Sequence, residues 1–137
     1  MPELQGGCSC GKLRYSLTLE STGDAKTSLC HCHSCKQAYG GAFGVTARVT
    51  RQSFSVTKGE PKIYKHGNGV RREFCSECGA FVCEYGAQAE PYFRYVVVGS
   101  LDDGPDALPP TEELFTSQRS KWMPKIPDTF QKERIVE

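Results

Sequence analysis

Cysteine is the residue type in this sequence whose number and spacing most clearly indicate a chemical role. Seven of the 8 cysteines lie in close groups. The groups are Cys8-x-Cys10, Cys30-x-Cys32-x-x-Cys35 and Cys75-x-x-Cys78, and Cys83 stands alone. One or two residues between cysteines let both sulfurs reach a common centre about 2.3 Å away, which suits a tetrahedral metal ion. The spacing therefore predicts metal sites, and thiolate softness favours zinc.

Disulfide bonds are the competing explanation for so many cysteines, and the expected compartment argues against them. Residues 1–7 carry neither the basic nor the apolar region of a secretory signal. We therefore expect a cytoplasmic protein, with a nuclear one as the alternative, in which thiols stay reduced. No apolar stretch approaches the ~18 residues that a membrane helix needs, so we expect no membrane partner.

Two of the cysteine pairs together supply the four ligands of a closed structural zinc site. We call this set the first cluster; it consists of Cys8, Cys10, Cys75 and Cys78. A glycine follows each pair, as expected where the backbone turns tightly around bound sulfurs. Because residues 11–74 separate the pairs, an ion here would tie distant parts of the chain together.

The remaining group, Cys30, Cys32 and Cys35, is the second cluster, and it offers three thiolates within six residues. Three protein ligands and an open fourth position are typical of a reactive zinc, which can take water or a thiol substrate. His31 or His33 would instead close the site if either were the fourth ligand. A single site shared by all seven cysteines is a further alternative, and Cys83 is expected to be a buried, inert thiol.

Charge and length restrict the other functions that this chain could have. The 137 residues suffice for one domain, with a looser segment from about residue 110 to 137. A net charge of +1 makes nucleic-acid binding an unfavoured function. Basic residues are concentrated in 51–73 and acidic residues in 84–113, which we interpret as solvated faces, with a cationic rim for a small anionic ligand as the alternative.

Alternating apolar and polar residues predict a mainly antiparallel β fold to position these cysteines. Tyr95–Val98 is continuously apolar, so its strand should be central and buried on both faces. Short helices are expected at Ser34–Tyr39, which ends at a glycine pair, and near Pro110–Glu113. The predicted strands are Leu13–Leu19, Phe43–Val49, Ser53–Thr57, Lys62–Tyr64, Val70–Phe74, Ala80–Tyr85 and Tyr92–Val98.

Several motifs in order along the chain resemble the glutathione-dependent formaldehyde-activating enzyme family, which also contains centromere protein V. The matching motifs lie in residues 7–15, 30–41, 59–64, 72–79 and 115–122. The resemblance implies an Mss4-like fold of antiparallel sheets and two zinc ions per chain. It places a structural zinc on Cys8, Cys10, Cys75 and Cys78, and a second zinc on Cys30, Cys32 and Cys35.

The same resemblance implies a carbon–sulfur lyase acting on the adduct of a thiol such as glutathione with a small carbonyl compound such as formaldehyde. A zinc-held thiolate is nucleophilic at neutral pH, which agrees with that chemistry. Lys36, Arg72 and Arg119 are candidates for binding the carboxylates of the thiol. The alternative function is a non-catalytic zinc-binding module for protein or nucleic acid.

Overall fold

The computed structural model describes residues 3–134, in which eleven strands and one α-helix, α1 (His33–Tyr39), form the fold. The mainly β architecture expected from the sequence is confirmed. The strands are β1 (Glu3–Gly7), β2 (Arg14–Thr18), β3 (Lys26–Cys30), β4 (Gly44–Thr50), β5 (Phe54–Lys58), β6 (Lys62–Lys65), β7 (Arg71–Phe74), β8 (Phe81–Tyr85), β9 (Phe93–Val97), β10 (Glu112–Leu114) and β11 (Phe130–Lys132).

These strands form two sheets. The smaller sheet has the order β1-β2-β5, and the larger has the order β11-β10-β3-β4-β9-β8-β7-β6. Most neighbouring strands are antiparallel, but β10 runs parallel to both β3 and β11. Among residues 3–134, no helix is long and apolar enough to cross a membrane.

Period-two alternation explains how the sheets build one core. On β2 the side chains of Tyr15 and Leu17 are buried, and the neighbours between them face outward. On β9 the buried residues are Arg94 and Val96, and the strand lies between β4 and β8, as expected for a central strand. Its other face is half-buried rather than fully buried, because Tyr95 and Val97 retain some exposure.

The expectation of a helix near Pro110–Glu113 is wrong, because residues 112–114 form strand β10. All three of its side chains are buried, and the strand pairs in parallel with β3. Acidic residues favour a helix start by only about 0.3–1 kcal/mol each, through their interaction with the helix dipole. Here the edge of β3 offers hydrogen-bond partners, and tertiary pairing overrides the local preference.

Helix α1 matches the predicted Ser34–Tyr39 within one residue. Cys32 is its N-cap, and the Cys35 N–H donates to the Cys32 Sγ at 3.4 Å. The helix ends at Gly40, whose φ of 67° is left-handed. The same cysteine therefore begins the helix and belongs to the second cluster.

Candidate metal centres

The first cluster connects the two sheets of the fold. Cys8 directly follows β1 in the smaller sheet, and Cys75 directly follows β7 in the larger one. The four sulfurs all lie within 4.8 Å of one another. The Sγ of Cys10 lies 3.5 Å from that of Cys8 and 3.7 Å from that of Cys75. Four sulfurs each 2.3 Å from a tetrahedral ion would be about 3.8 Å apart, so the spacing fits a metal.

Backbone turns hold the first cluster in place. The Leu13 N–H donates to the Cys8 Sγ at 3.2 Å, and the Cys78 N–H donates to the Cys75 Sγ at 3.5 Å. Gly11 and Gly79 have φ values of 81° and 78°, in the left-handed region that favours glycine. The glycine after each cysteine pair is therefore what allows the chain to turn around the sulfurs.

The second cluster lies at the junction of β3 and α1 in the larger sheet. Cys30 ends β3, Cys32 caps α1 and Cys35 is in the first helical turn. Their three sulfurs also lie within 4.8 Å of one another, and all three residues are half-buried. Each of the two clusters could therefore hold a metal ion.

Each cluster contains at least one thiol whose pKa is lowered. A hydrogen bond from Cys35, together with others from Cys32, lowers the pKa of Cys30 to about 6 despite burial. Burial acts to raise the pKa of Cys8, but hydrogen bonds from Leu13 and the neighbouring thiols lower it to about 6. A thiolate is the form that binds soft metals, so both sites have the ligand chemistry of a cation site.

Neither of the two histidines beside the second cluster joins its sulfurs. Among the described residues, the group of mutually close ligand atoms at this site contains cysteines alone. His33 is exposed, and His31 is fully buried with its Nε2 at 2.6 Å from the Glu113 Oε2. The structure therefore presents the second cluster as a three-sulfur set.

Glu113 is a functional candidate that the sequence did not reveal. Its carboxylate is buried on β10 and accepts hydrogen bonds from four separate residues: His31, Arg119, Ile126 and Gln131. Burial acts to raise the pKa of Glu113, but the Ile126 N–H and the three side chains lower it to about 2. No pattern in the sequence identifies Glu113, because its hydrogen-bond partners come together only when β10 pairs in parallel with β3 and β11.

A cavity of about 370 Å³ is lined by residues that adjoin the cysteines of both clusters in sequence. Ser34, between Cys32 and Cys35 in sequence, lines one side, and Gly79, next to Cys78, lines another. Its apolar surface includes Phe74 and Phe81, and polar groups come from residues such as Arg72. The size and the mixed lining suit a small organic ligand with a few polar groups.

Arg72 is the one of the three predicted carboxylate-binding residues that lines this cavity. Its Nη2 donates to the Ser34 Oγ at 2.9 Å, and its Nε lies 3.3 Å from the Glu84 Oε2. The Arg72 side chain is 12% exposed, so its guanidinium is held within the wall. Burial raises the pKa of Glu84, although the charge of Arg72 acts in the opposite direction.

Lys36 and Arg119, the other two predicted residues, lie outside the cavity lining and have protein partners. The Lys36 Nζ donates to the Gln118 carbonyl oxygen. The Arg119 guanidinium donates to Glu113 and Gln131. Two further cavity residues, Tyr64 and His66, were not predicted from the sequence; the Tyr64 hydroxyl lies 3.3 Å from the His66 Nδ1.

Cys83, the one cysteine outside both clusters, is fully buried in β8. Burial raises the pKa of its thiol, and neighbouring Glu73 adds to the effect. The expectation of a buried thiol is confirmed. Such a thiol is a poor nucleophile because it stays protonated at neutral pH.

Comparisons with known proteins agree with this geometry. A sequence profile of the family described as "Glutathione-dependent formaldehyde-activating enzyme" matches residues 3–118. An uncharacterized lyase of Schizosaccharomyces pombe is 29% identical over 94 residues, which are 68% of this chain and 66% of that relative. The chain thus spans slightly less than two thirds of the relative's length. A crystal structure of a Rhodobacter sphaeroides protein, 22% identical, has a similar fold with a TM-score of 0.61 over 80% of this chain and 98% of that one.

Proposed function

The chain belongs to the glutathione-dependent formaldehyde-activating enzyme family, and on this premise we propose that it makes and breaks a carbon–sulfur bond between a thiol and a small carbonyl compound. The proposed thiol is of the glutathione type, and formaldehyde is the simplest carbonyl partner. The observation that carries the proposal is the three-sulfur second cluster, whose sequence neighbour Ser34 lines a cavity with an arginine in its wall.

Zinc is the metal that we propose for both clusters, at two ions per chain. Cys8, Cys10, Cys75 and Cys78 would hold the structural ion with a complete ligand set. Cys30, Cys32 and Cys35 would hold the second ion and leave one position for an exogenous ligand. When bound there, zinc supplies a Lewis acid that favours the thiolate form of a thiol at neutral pH.

The residues of the chain then bind and orient the reactants. Arg72 would bind a carboxylate of the thiol, and its contacts with Ser34 and Glu84, which fix the direction of its guanidinium, support this role. The rings of Phe74 and Phe81 give the cavity an apolar surface against which the carbon chain of the thiol would pack. This arrangement lowers the entropic cost of bringing the two reactants together.

The reaction itself conserves all atoms and needs no redox partner. In the forward direction the thiol sulfur bonds to the carbonyl carbon, the carbon–oxygen π bond opens, and the oxygen takes a proton. The net proton comes from the thiol, so thiol and aldehyde together equal the S-hydroxymethyl product. In the lyase direction the carbon–sulfur bond breaks and the hydroxyl proton returns to solvent or to the sulfur.

Exchange spectroscopy by NMR tests the proposal, because the adduct also forms without an enzyme. The rate of exchange between glutathione and S-hydroxymethylglutathione is measured with and without the zinc-loaded protein. We expect the protein to accelerate the exchange and Cys32→Ser to abolish the acceleration. Cys83→Ala removes a cysteine outside both clusters and is the matched control that should retain it. An unchanged exchange rate with the wild-type protein, at two bound zinc ions, would disprove the proposed reaction.

A further inference from the structure

The loop of the second cluster is held by residues that lie far away in sequence. Cys30 pairs with Leu114 across the parallel strands β3 and β10, and the His31 N–H donates to the Leu114 carbonyl at 3.1 Å. The His33 N–H donates to the Gln118 side-chain oxygen at 3.1 Å. The backbone N–H groups of His31 and His33 therefore attach this loop to residues 114–118.

The shortest contact that holds this loop is the one between the side chains of His31 and Glu113. His31 lies between Cys30 and Cys32 in sequence, so a shift of its side chain moves the backbone on which both cysteines are carried. Both members of the pair are 0% exposed, and 2.6 Å separates the His31 Nε2 from the Glu113 Oε2. A buried contact this short fixes the position of the ring, because either partner left alone would be a costly unpaired polar group.

Three more donors fix the carboxylate itself. The Arg119 Nε lies at 3.2 Å, the Gln131 Nε2 lies at 3.1 Å, and the Ile126 N–H completes the set. With His31, these groups form what we call the Glu113 network. Arg119, Ile126 and Gln131 all lie beyond residue 118, where the match to the family profile ends.

We propose that Glu113 is a positioning residue that sets the second cluster through His31, so that metal affinity at Cys30, Cys32 and Cys35 depends on the segment 112–132. The inference builds on the proposed function, in which the second cluster is the reactive site. It differs from a purely structural role, because loss of the network should affect one cluster and spare the other.

Glu112 provides a matched control on the same strand. It is 5% exposed, and its carboxylate accepts from the Ser28 hydroxyl at 2.7 Å and lies 3.0 Å from the Lys132 Nζ. It thus resembles Glu113 in burial and in the number of charged neighbours, but its partners do not include His31. Glu112→Gln and Glu113→Gln therefore make the same chemical change at adjacent positions.

The test uses Co²⁺ as a spectroscopic probe in the 137-residue chain, titrated against a chelator. Four-sulfur and three-sulfur cobalt sites differ in their visible absorption bands, so the two clusters are followed separately. We expect Glu113→Gln to weaken Co²⁺ binding at the second cluster by about tenfold, the lower limit of the range for lost partners of metal ligands, because Glu113 acts through His31, which is not itself a ligand. The first cluster should bind as in the wild type, and Glu112→Gln should bind normally at both.

Arg119→Met is the second variant; it removes one network donor and decides the matter if Glu113→Gln does not fold. It should weaken Co²⁺ binding at the second cluster alone, by a smaller factor. Unchanged affinity at the second cluster, or an equal loss at both clusters, would overturn the inference. Because no thiol or aldehyde is present, this result does not depend on whether the proposed reaction occurs.

Discussion

The two cysteine clusters use the same ligand type but are built in opposite ways. The first brings together turns from the two different sheets, after β1 and after β7. The second draws its sulfurs from six consecutive residues at the junction of β3 and α1, and its support comes from hydrogen bonds to residues 113–118. In the first cluster the sulfurs themselves make the long-range connection, whereas in the second the surrounding residues make it.

Because of this contrast, the two sites would contribute different properties: the first would stabilise the fold and the second would provide reactivity. An ion in the first cluster would close a long loop of chain, so its binding energy would add to the stability of the fold. An ion in the second cluster would close only a short loop, so its binding would add little to stability. The second site can therefore keep an open position for chemistry at small cost to the fold.

The largest expected effect comes from breaking each cluster in turn. Cys75→Ser should leave the protein poorly soluble or partly unfolded, because structural zinc contributes on the order of 10 kcal/mol to folding in such domains. Cys32→Ser should keep the fold and lose the second metal together with thiol binding. Far-UV circular dichroism, thermal melting and metal analysis of both variants make the comparison. Equal unfolding of the two variants would mean that the second cluster is also structural.

A substitution at Gly44 in β4 should have a smaller effect on stability, limited to the region around α1 and the second cluster. A Cβ added at Gly44 would lie 2.4 Å from the Tyr39 ring, which also packs on Phe81 at a ring distance of 5.2 Å. Gly44→Ala should displace α1 and cost about 1–3 kcal/mol in the free energy of unfolding. Gly41→Ala is the control, since a Cβ there meets no atom within 4 Å. Denaturant unfolding measures both, and equal stability of the two variants would contradict the packing argument.

Substitutions of Arg72 and Lys36 test which of these two predicted cations binds the thiol. Arg72→Gln should weaken glutathione binding by about tenfold, as expected for one lost hydrogen bond to a charged group, while the glutamine amide can still donate to Glu84. Lys36→Gln should leave the affinity unchanged, because Lys36 binds the Gln118 carbonyl outside the cavity lining. Isothermal calorimetry on the zinc-loaded proteins gives both values. A larger loss of glutathione affinity for Lys36→Gln would indicate that the carboxylate binds at α1 instead of in the cavity.

The smallest effect concerns an exposed ion pair beside the first cluster. A hydrogen bond from Arg14, together with its charge, lowers the pKa of Asp102. The pair therefore stabilises the fold above the ordinary aspartate pKa of about 3.9, and this stabilisation disappears as pH falls through the lowered pKa. Asp102→Asn should melt slightly below the wild type at pH 7 and at the same temperature near pH 2. A difference that persists in acid would exclude the ion pair as its cause.

Much of the architecture follows from local patterns. Apolar patterns in the sequence predicted β2 and all the strands from β4 to β9. The second cluster and Gly40 marked the two ends of α1. Strands β1, β3 and β11 were missed because they carry few apolar residues; in Lys26–Cys30 the buried residues are Thr27 and Leu29. A polar strand of this kind is defined by its neighbours in the sheet rather than by its own pattern.

The sequence by itself determined the cysteine groups and the residue types of the two candidate metal centres, because close spacing is a local property of the chain. Only the tertiary structure decided how each centre is supported. It joined the first cluster across two sheets, directed His31 away from the sulfurs toward Glu113, and selected Arg72 for the cavity wall. These arrangements depend on which strands pair, and the parallel contact between β3 and β10 joins residues more than eighty positions apart. No local pattern records such a contact, since its energy arises only when both segments meet.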